Sequence, residues 1–263
     1  MTRPISRIGL GIDIGGSGIK GAPVDLDSGT FVVDRLKIPT PRPATPEAVA
    51  SVVAEIAAAF PEHVAEDAPL GVTFPAVIQN GVARSAANVD RSWIGTDVAA
   101  LLAEATGRRV MVINDADAAA VAEHRYGAAA GVDGVVLMTT LGTGIGSALL
   151  VNGILVPNTE FGHLEIDGYD AETRAASSAK ERDNLSYREW AEQRLQRYYS
   201  VVENLLWPDL IVVGGGVSRK SDKFLPYLRL NAPIVPAKLR NTAGIVGAAV
   251  LAAERLGGQG AAA

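Results

Sequence analysis

Residues Gly11–Gly29 read GIDIGGSGIKGAPVDLDSG. Gly16, Gly18 and Gly21 form a literal G-x-G-x-x-G, and Lys20 stands inside the same glycine-rich loop. A dinucleotide site requires the last glycine to open a helix, because the pyrophosphate meets the helix N-terminus. Here Gly21 is followed by APVDLDSGTFVVDRL, with an internal proline, a D-S-G-T turn at 27–30 and alternating branched residues, which is the pattern of a hairpin. A P-loop requires G-K-[ST], whereas Lys20 lies between Ile19 and Gly21. Both readings fail on context. A glycine hairpin can still gather backbone N–H groups into an anion nest, with a backbone that a phosphate can approach closely. Asp13, just before the turn, would repel a bare phosphate, so it points to Mg²⁺ held through water. The plainer alternative is a structural turn with an aspartate capping it.

A second stretch changes the weight of the first. LGTGIGSA (141–148) aligns without gaps on GGSGIKGA (15–22), matching Gly16 with Gly142, Ser17 with Thr143, Gly18 with Gly144, Ile19 with Ile145 and Ala22 with Ala148. Each copy lies between two strand-like segments. Two such units half a chain apart predict two similar lobes facing each other, with a phosphate chain clamped between the turns. Chance recurrence of a common turn is the rival reading. A third glycine run, Gly214–Gly216, closes the strand pattern of DLIVVGGGVS (209–218).

Around these turns the pattern alternates strands and helices. IGLGIDIG (8–15), IKGAPVDL (19–26) and FVVDRLKIP (31–39) read as strands, and Thr45 caps a helix opened by Pro46. A strand lies in PLGVTFPAVIQNGVA (69–83), whose Asn80-Gly81 marks a hairpin turn. GTDVAALLAEATG (95–107) is a helix capped by Thr96 or Asp97, RVMVIND is a strand, and ADAAAVAEHRYG is a helix. SYREWAEQRLQRYYSVVENLLW (186–207) reads as one long amphipathic helix, and AGIVGAAVLAAERLGG is the last helix.

Composition narrows the class. Of 263 residues, 48% are hydrophobic and 20% charged, enough for a sizeable core and unlike a disordered chain. A net charge of −5 argues against a general nucleic-acid binder. The absence of Cys excludes disulfides, Cys-ligated zinc and thiol catalysis. No run of 18 uncharged apolar residues appears and no signal-peptide pattern opens the chain, so the expectation is a cytoplasmic protein with no membrane partner.

Two further stretches carry chemistry. VMVINDADAAAVAEHR places Asn114 and Asp115 at a strand-to-helix junction, where either is a natural helix cap. A carboxylate there is also suited to accept the proton of a poorly nucleophilic hydroxyl. NTEFGHLEID gathers Glu160, His163, Glu165 and Asp167. A metal on one helix face is the weaker reading, because Gly162 argues against a regular helix. Acceptors with one imidazole suit a polyhydroxylated ligand.

Together, DIGGSGIKG, INDADAA, LGTGIGSA, EFGHLEIDG, LIVVGGGVS and NTAGIVGAA run in order over nearly the whole chain. They resemble the ROK family of sugar kinases, and LVPNTEFGHLEIDGYDAE, SAANVDRSW and KFLPYLRL look like its polyphosphate-using branch. The resemblance implies an α/β protein with the actin-like/hexokinase (ribonuclease H-like) two-lobed ATPase fold. The small lobe would span 1–113, with a helix at about 243–256 packing back onto it, and the large lobe 114–242. Asp115 would be the base that deprotonates the glucose 6-hydroxyl. Asn88, Asn114, Glu160, His163 and Glu172 would hold the sugar. Asp13, Gly15, Gly16, Ser17, Gly18 and Lys20 would form the first phosphate loop, Gly142, Thr143 and Gly144 the second. Gly214, Gly215 and Gly216 match the family's adenosine motif, so ATP stands beside polyphosphate as a donor.

The family's C-x-C-G-x-x-G-C-x-E zinc loop is missing, which predicts no structural zinc, and Glu172 falls where its terminal Glu would be. Polyphosphate would need further cations, drawn from Lys20, Arg84, Arg91, Lys180, Arg182, Arg219, Lys220 and Lys223. The expected reaction is transfer to glucose, and to mannose if the site ignores the 2-hydroxyl, by a homodimer. The alternatives are an ATP-dependent glucokinase, a glucomannokinase using both donors, and a sugar-sensing regulator. A strand starting at about Ile8 leaves no room before it for the regulator's helix-turn-helix.

Overall fold

The computed structural model describes residues 8–86 and 89–257. The chain forms two compact units, Met1–Ala122 with Thr242–Ala263, and Glu123–Asn241. The division falls inside a helix, beyond the boundary at 113 that the sequence suggested.

The first unit is built on one mixed sheet. Strands β1 (Ile8–Gly15) and β2 (Gly18–Asp25) form the opening hairpin, followed by the short β3 (Thr30–Phe31) and β4 (Leu36–Ile38). FVVDRLKIP is thus not one strand: bends at Val32 and Val33 break it, and β3 and β4 pair separate parts of β2. Helix α1 (Pro46–Ala58) leads to β5 (Leu70–Phe74), and Thr45 caps it with Pro46 in its first turn. The hairpin of β6 (Ile78–Gln79) and β7 (Val82–Ala83) turns at Asn80 and Gly81, both with positive φ. Helix α2 (Val98–Thr106) is capped by Asp97 and leads to β8 (Val110–Asn114), which runs into α3 (Asp115–Tyr126). The sheet order is β3-β2-β1-β5-β8, with β5 and β8 parallel to β1. Leu10, Ile12, Leu70, Val72, Phe74, Trp93 and Leu102 are fully buried in its core.

The last helix (Ala243–Leu256) belongs to this unit and lies nearly on its backbone. A Cβ added to Gly11 would lie 2.0 Å from the Ile245 carbonyl oxygen, one on Gly71 1.9 Å from that of Ala248, and one on Gly247 1.8 Å from that of Ala118. Only glycine allows this approach, and it puts apolar helix and sheet surfaces in direct contact.

The second unit repeats the plan. Strands β9 (Val135–Leu141) and β10 (Ile145–Val151) form its hairpin, extended by β11 (Ile154–Val156). After β12 (Glu165–Ile166), β13 (Tyr169–Asp170) and helices α4 (Glu172–Ala175), α5 (Ser177–Arg182), α6 (Tyr187–Trp190) and α7 (Gln196–Leu206) come β14 (Leu210–Gly214) and β15 (Ile234–Pro236). The order β11-β10-β9-β14-β15, with β14 and β15 parallel to β9, matches the main path of the first sheet, which carries β4 in addition. The recurrence seen in LGTGIGSA is therefore a recurrence of topology. The turns differ in length: Gly15 pairs with Gly18 across two residues, whereas Leu141 pairs with Ile145 across three. The expected single helix over 186–207 is interrupted by a π-helical turn at Ala191–Leu195. That wider turn keeps both Trp190 and Leu195 fully buried.

Candidate active site

In the first unit the chemistry-bearing groups sit at the ends of β1, β5 and β8. Antiparallel register sets Asp13 opposite Lys20, and their side chains pair at 3.3 Å. The other carboxylate oxygen of Asp13 accepts a hydrogen bond from the Thr73 hydroxyl at 2.7 Å. Thr73 is the parallel neighbour of Asp13 in β5. The turn Gly16–Ser17 is exposed, and the Gly15 carbonyl accepts a bond from the Thr40 hydroxyl. Beside it lies a cavity of about 140 Å³ lined by Gly15, Gly16, Thr40, Arg42, Phe74 and Trp93 among others.

At the end of β8 the capping reading holds for Asn114. Asn114 caps α3: its Oδ1 accepts from the Ala116 and Asp117 N–H groups at 2.8 and 3.3 Å, while its Nδ2 donates to the Ala76 carbonyl at 3.2 Å. One N–H of that amide remains for a ligand. Asp115 begins the helix and is exposed, and its Oδ1 also accepts from Ala116 N–H at 2.9 Å. Asn88 lies outside the described residues.

In the second unit the turn Gly142–Gly144 is tied to the sugar-ligand candidates. Glu172 Oε2 accepts from the Ile145 N–H at 2.9 Å, and a Cβ on Gly144 would strike that carboxylate at 2.2 Å. Ser147 Oγ donates to the Thr159 carbonyl at 2.6 Å and accepts from the Phe161 N–H at 2.8 Å, which places Glu160 at the head of a 3₁₀ turn, Phe161–His163. Gly162 is required there, because a Cβ would fall 2.1 Å from the Ile145 carbonyl oxygen. Burial pushes the Glu160 carboxyl up, the charge of His163 opposes this, and Glu172 adds to it.

Asp170 is the residue that sequence reasoning missed. It accepts a hydrogen bond from His163 Nδ1 at 2.8 Å, and this bond raises the imidazole above its ordinary value. An Asp-Gly signal was present: Asp167 and Gly168, both with positive φ, turn the β12–β13 hairpin and bring Asp170 back opposite Glu165. Arg197 holds Asp167 through two bonds of 2.9 and 2.7 Å. His163, Asp170 and Glu172 each bring one ligand-type atom within 4.8 Å of the others. The set is poor for zinc: one imidazole and two carboxylates, each carboxylate already accepting a backbone N–H, from Glu172 and Ile145 respectively.

The glycines separate packing from ligand approach. Gly215 is enforced by its left-handed φ and by the Leu141 backbone, while Gly214 faces only the movable end of Met138. Gly16, Gly142 and Gly216 are different. Nothing lies within 4 Å of the Cβ each lacks, and none has a left-handed φ. Among the described residues, then, neither packing nor conformation demands glycine at one position in each of the three turns. Approach of a ligand to bare backbone is the remaining reason.

Two like-ordered sheets, each opening with a glycine hairpin, are the plan of the actin-like/hexokinase fold, which sugar kinases share. The ROK family matches residues 9–184, and the chain belongs to that family. It is 55% identical over 245 residues to a polyphosphate glucokinase of Mycobacterium tuberculosis (strain CDC 1551 / Oshkosh), covering 93% of this chain and 91% of that one. Its structure is similar to an inorganic polyphosphate/ATP-glucomannokinase from Arthrobacter sp. strain KM, with TM-score 0.89 and 59% identity over 94% of this chain and 99% of the other. It is also similar to a ROK family glucokinase from Streptomyces griseus in complex with glucose and AMPPNP, with TM-score 0.78 and 26% identity over 94% and 100% of the two chains.

Proposed function

We propose that this chain phosphorylates the 6-hydroxyl of glucose with inorganic polyphosphate as donor, and that ATP also serves. The observation that carries the reading is 55% identity to a polyphosphate glucokinase across 93% of the chain. The open Gly16, Gly142 and Gly216 positions support it, because each lets a ligand approach the backbone with no side chain in the way.

Asp115 takes the proton of the sugar hydroxyl as it attacks the terminal phosphorus. Asn114, Glu160, His163 and Glu172 bind sugar hydroxyls, with Asn88 as a further candidate. The turns at Gly15–Gly18 and Gly142–Gly144, with Lys20, stabilise charge on the transferred phosphoryl group, and Gly214–Gly216 takes the donor beyond it. Catalysis of this kind is mostly positioning and electrostatics. Asp13 fits a hydrated cation: it is about a quarter exposed, and its Oδ2 is paired with Lys20 at 3.3 Å. A Mg²⁺ there would neutralise donor charge through its water shell.

The test crosses glucose or mannose with polyphosphate or ATP and measures the 6-phosphate formed by purified protein. Product from ATP alone would replace this reading with that of an ATP-dependent glucokinase. Product from mannose would make the enzyme a glucomannokinase. Sedimentation velocity checks the homodimer. Among the described residues, no helix is long and apolar enough to cross a membrane, in keeping with a cytoplasmic site of action.

A further inference from the structure

Eight cations stood out in the sequence as candidates for a polyphosphate groove, and the structure separates them. Lys20 stands at the first glycine turn, where the transferred phosphoryl group is proposed to sit, and Arg182 pairs with Asp183 at 2.8 Å. Three others converge. Lys180 Nζ lies 4.3 Å from the centre of the Tyr187 ring, Lys220 Nζ 5.7 Å and Lys223 Nζ 5.9 Å. None of the three has a carboxylate partner among the described residues, although Asp222 and Glu181 are chain neighbours. Lys220 and Lys223 are exposed and Lys180 is half-buried. One aromatic face attracts an ammonium, and this ring has three within 6 Å of its centre.

Their anchors make the arrangement more than a surface accident. Lys180 rides on α5, whose Ser178 is bonded to the second glycine turn: its N–H donates to the Gly142 carbonyl at 3.1 Å and its hydroxyl to that of Thr143 at 2.6 Å. Lys220 and Lys223 lie on the 3₁₀ stretch Gly216–Lys223, which begins at the third glycine turn. Tyr187 is fixed by stacking on the buried Phe224, with ring centres 6.4 Å apart and planes 21° apart. Gly142 and Gly216, the two open glycines of this unit, are therefore each joined through a few residues to the same cationic cluster.

We propose that Lys180, Lys220 and Lys223, arranged around Tyr187, form a subsite for the trailing phosphates of a linear polyphosphate, beyond those held by the glycine turns. The inference rests on the proposed use of polyphosphate and says which residues favour a long polyanion over a nucleotide triphosphate. A triphosphate ends at the glycine turns, whereas a chain continues onto the lysines.

The test is the triple variant Lys180→Gln, Lys220→Gln, Lys223→Gln in the full chain, assayed with long-chain polyphosphate, with a short oligophosphate and with ATP. The expected result is a rise of about tenfold or more in KM for long polyphosphate, from the loss of three phosphate contacts. KM for ATP, KM for glucose and the melting temperature should stay within twofold or unshifted. The slope of log KM against log salt for long polyphosphate should also flatten. An equal rise for ATP would overturn the proposal by making the cluster a site for any anionic donor, and an unchanged polyphosphate KM would overturn it outright. If the triple variant melts early, the three single variants take its place, each expected to raise the long-chain KM alone. Wild-type protein that makes no glucose 6-phosphate from polyphosphate sinks the functional reading itself. A wild type that does so, with a variant that matches it, sinks only the subsite.

Discussion

Asp115 is an exposed first residue of a helix whose cap is supplied by its neighbour, Asn114. Its carboxylate accepts from the Ala116 N–H beside that cap. Asp115→Asn should lower kcat by about 10²–10⁴-fold, the usual worth of a positioned base, with glucose KM nearly unchanged; near-normal turnover in that variant would remove the assignment. His163 offers a second test at this scale. Asp170 raises its folded value above the ordinary 6.5. The stabilisation that this pair contributes is complete below the unfolded value and is lost as pH rises through the folded one. In an NMR titration, Asp170→Asn should bring the His163 midpoint down toward the ordinary value, and an unmoved midpoint would detach the two residues. The sequence offered Asp115 at a strand-to-helix junction and Glu160 with His163 in NTEFGHLEID, and the family resemblance added Glu172. It missed Asp170, whose meaning depends on a hairpin that folds it back on His163.

Secondary-structure elements were legible where a local signal existed. Thr45 with Pro46, Asp97, and Asn80-Gly81 marked their helix starts and turn directly. The strand at 31–39 and the single helix at 186–207 were misread for one reason. Bends at Val32 and Val33 and the π turn at Ala191–Leu195 are set by tertiary demands, pairing to β2 and burial of both Trp190 and Leu195. The glycines of β1 and β5 show the same limit. Gly11 and Gly71 read as generic strand residues, yet they admit the last helix to backbone contact. Gly71→Ala should cost about 3 kcal/mol, the upper part of the range for overpacking, because the obstacle is the Ala248 backbone and not a movable side chain. Urea denaturation checks this. Gly16→Ala is the counterpart: with nothing within 4 Å it should leave the urea midpoint alone.

For the whole molecule, a polyanionic donor and a neutral sugar must answer differently to salt. Raising ionic strength should raise KM for polyphosphate steeply and KM for glucose hardly at all, since screening acts on charge. Parallel responses would speak against a cationic path for the donor. The net charge of −5 concealed the cluster, because Lys180 is far in sequence from Lys220 and Lys223 and joins them only around Tyr187. The duplication was the most legible global property. Eight aligned residues announced it, and two sheets with the same main strand path express it.

The last helix carries one more implication, for the order of events at the ribosome. The unit Glu123–Asn241 is continuous in sequence and can complete itself as soon as it emerges. The other unit is synthesised first but lacks its closing helix until residues 243–256 appear, after all of the second unit has been made. Throughout that interval the sheet surface around Gly11 and Gly71 is uncovered apolar backbone and side chain. The half of the protein that bears Asp13 and Asp115 is therefore the first to be translated and the last to mature. A nascent chain arrested before Ala243 should be the form that chaperones hold.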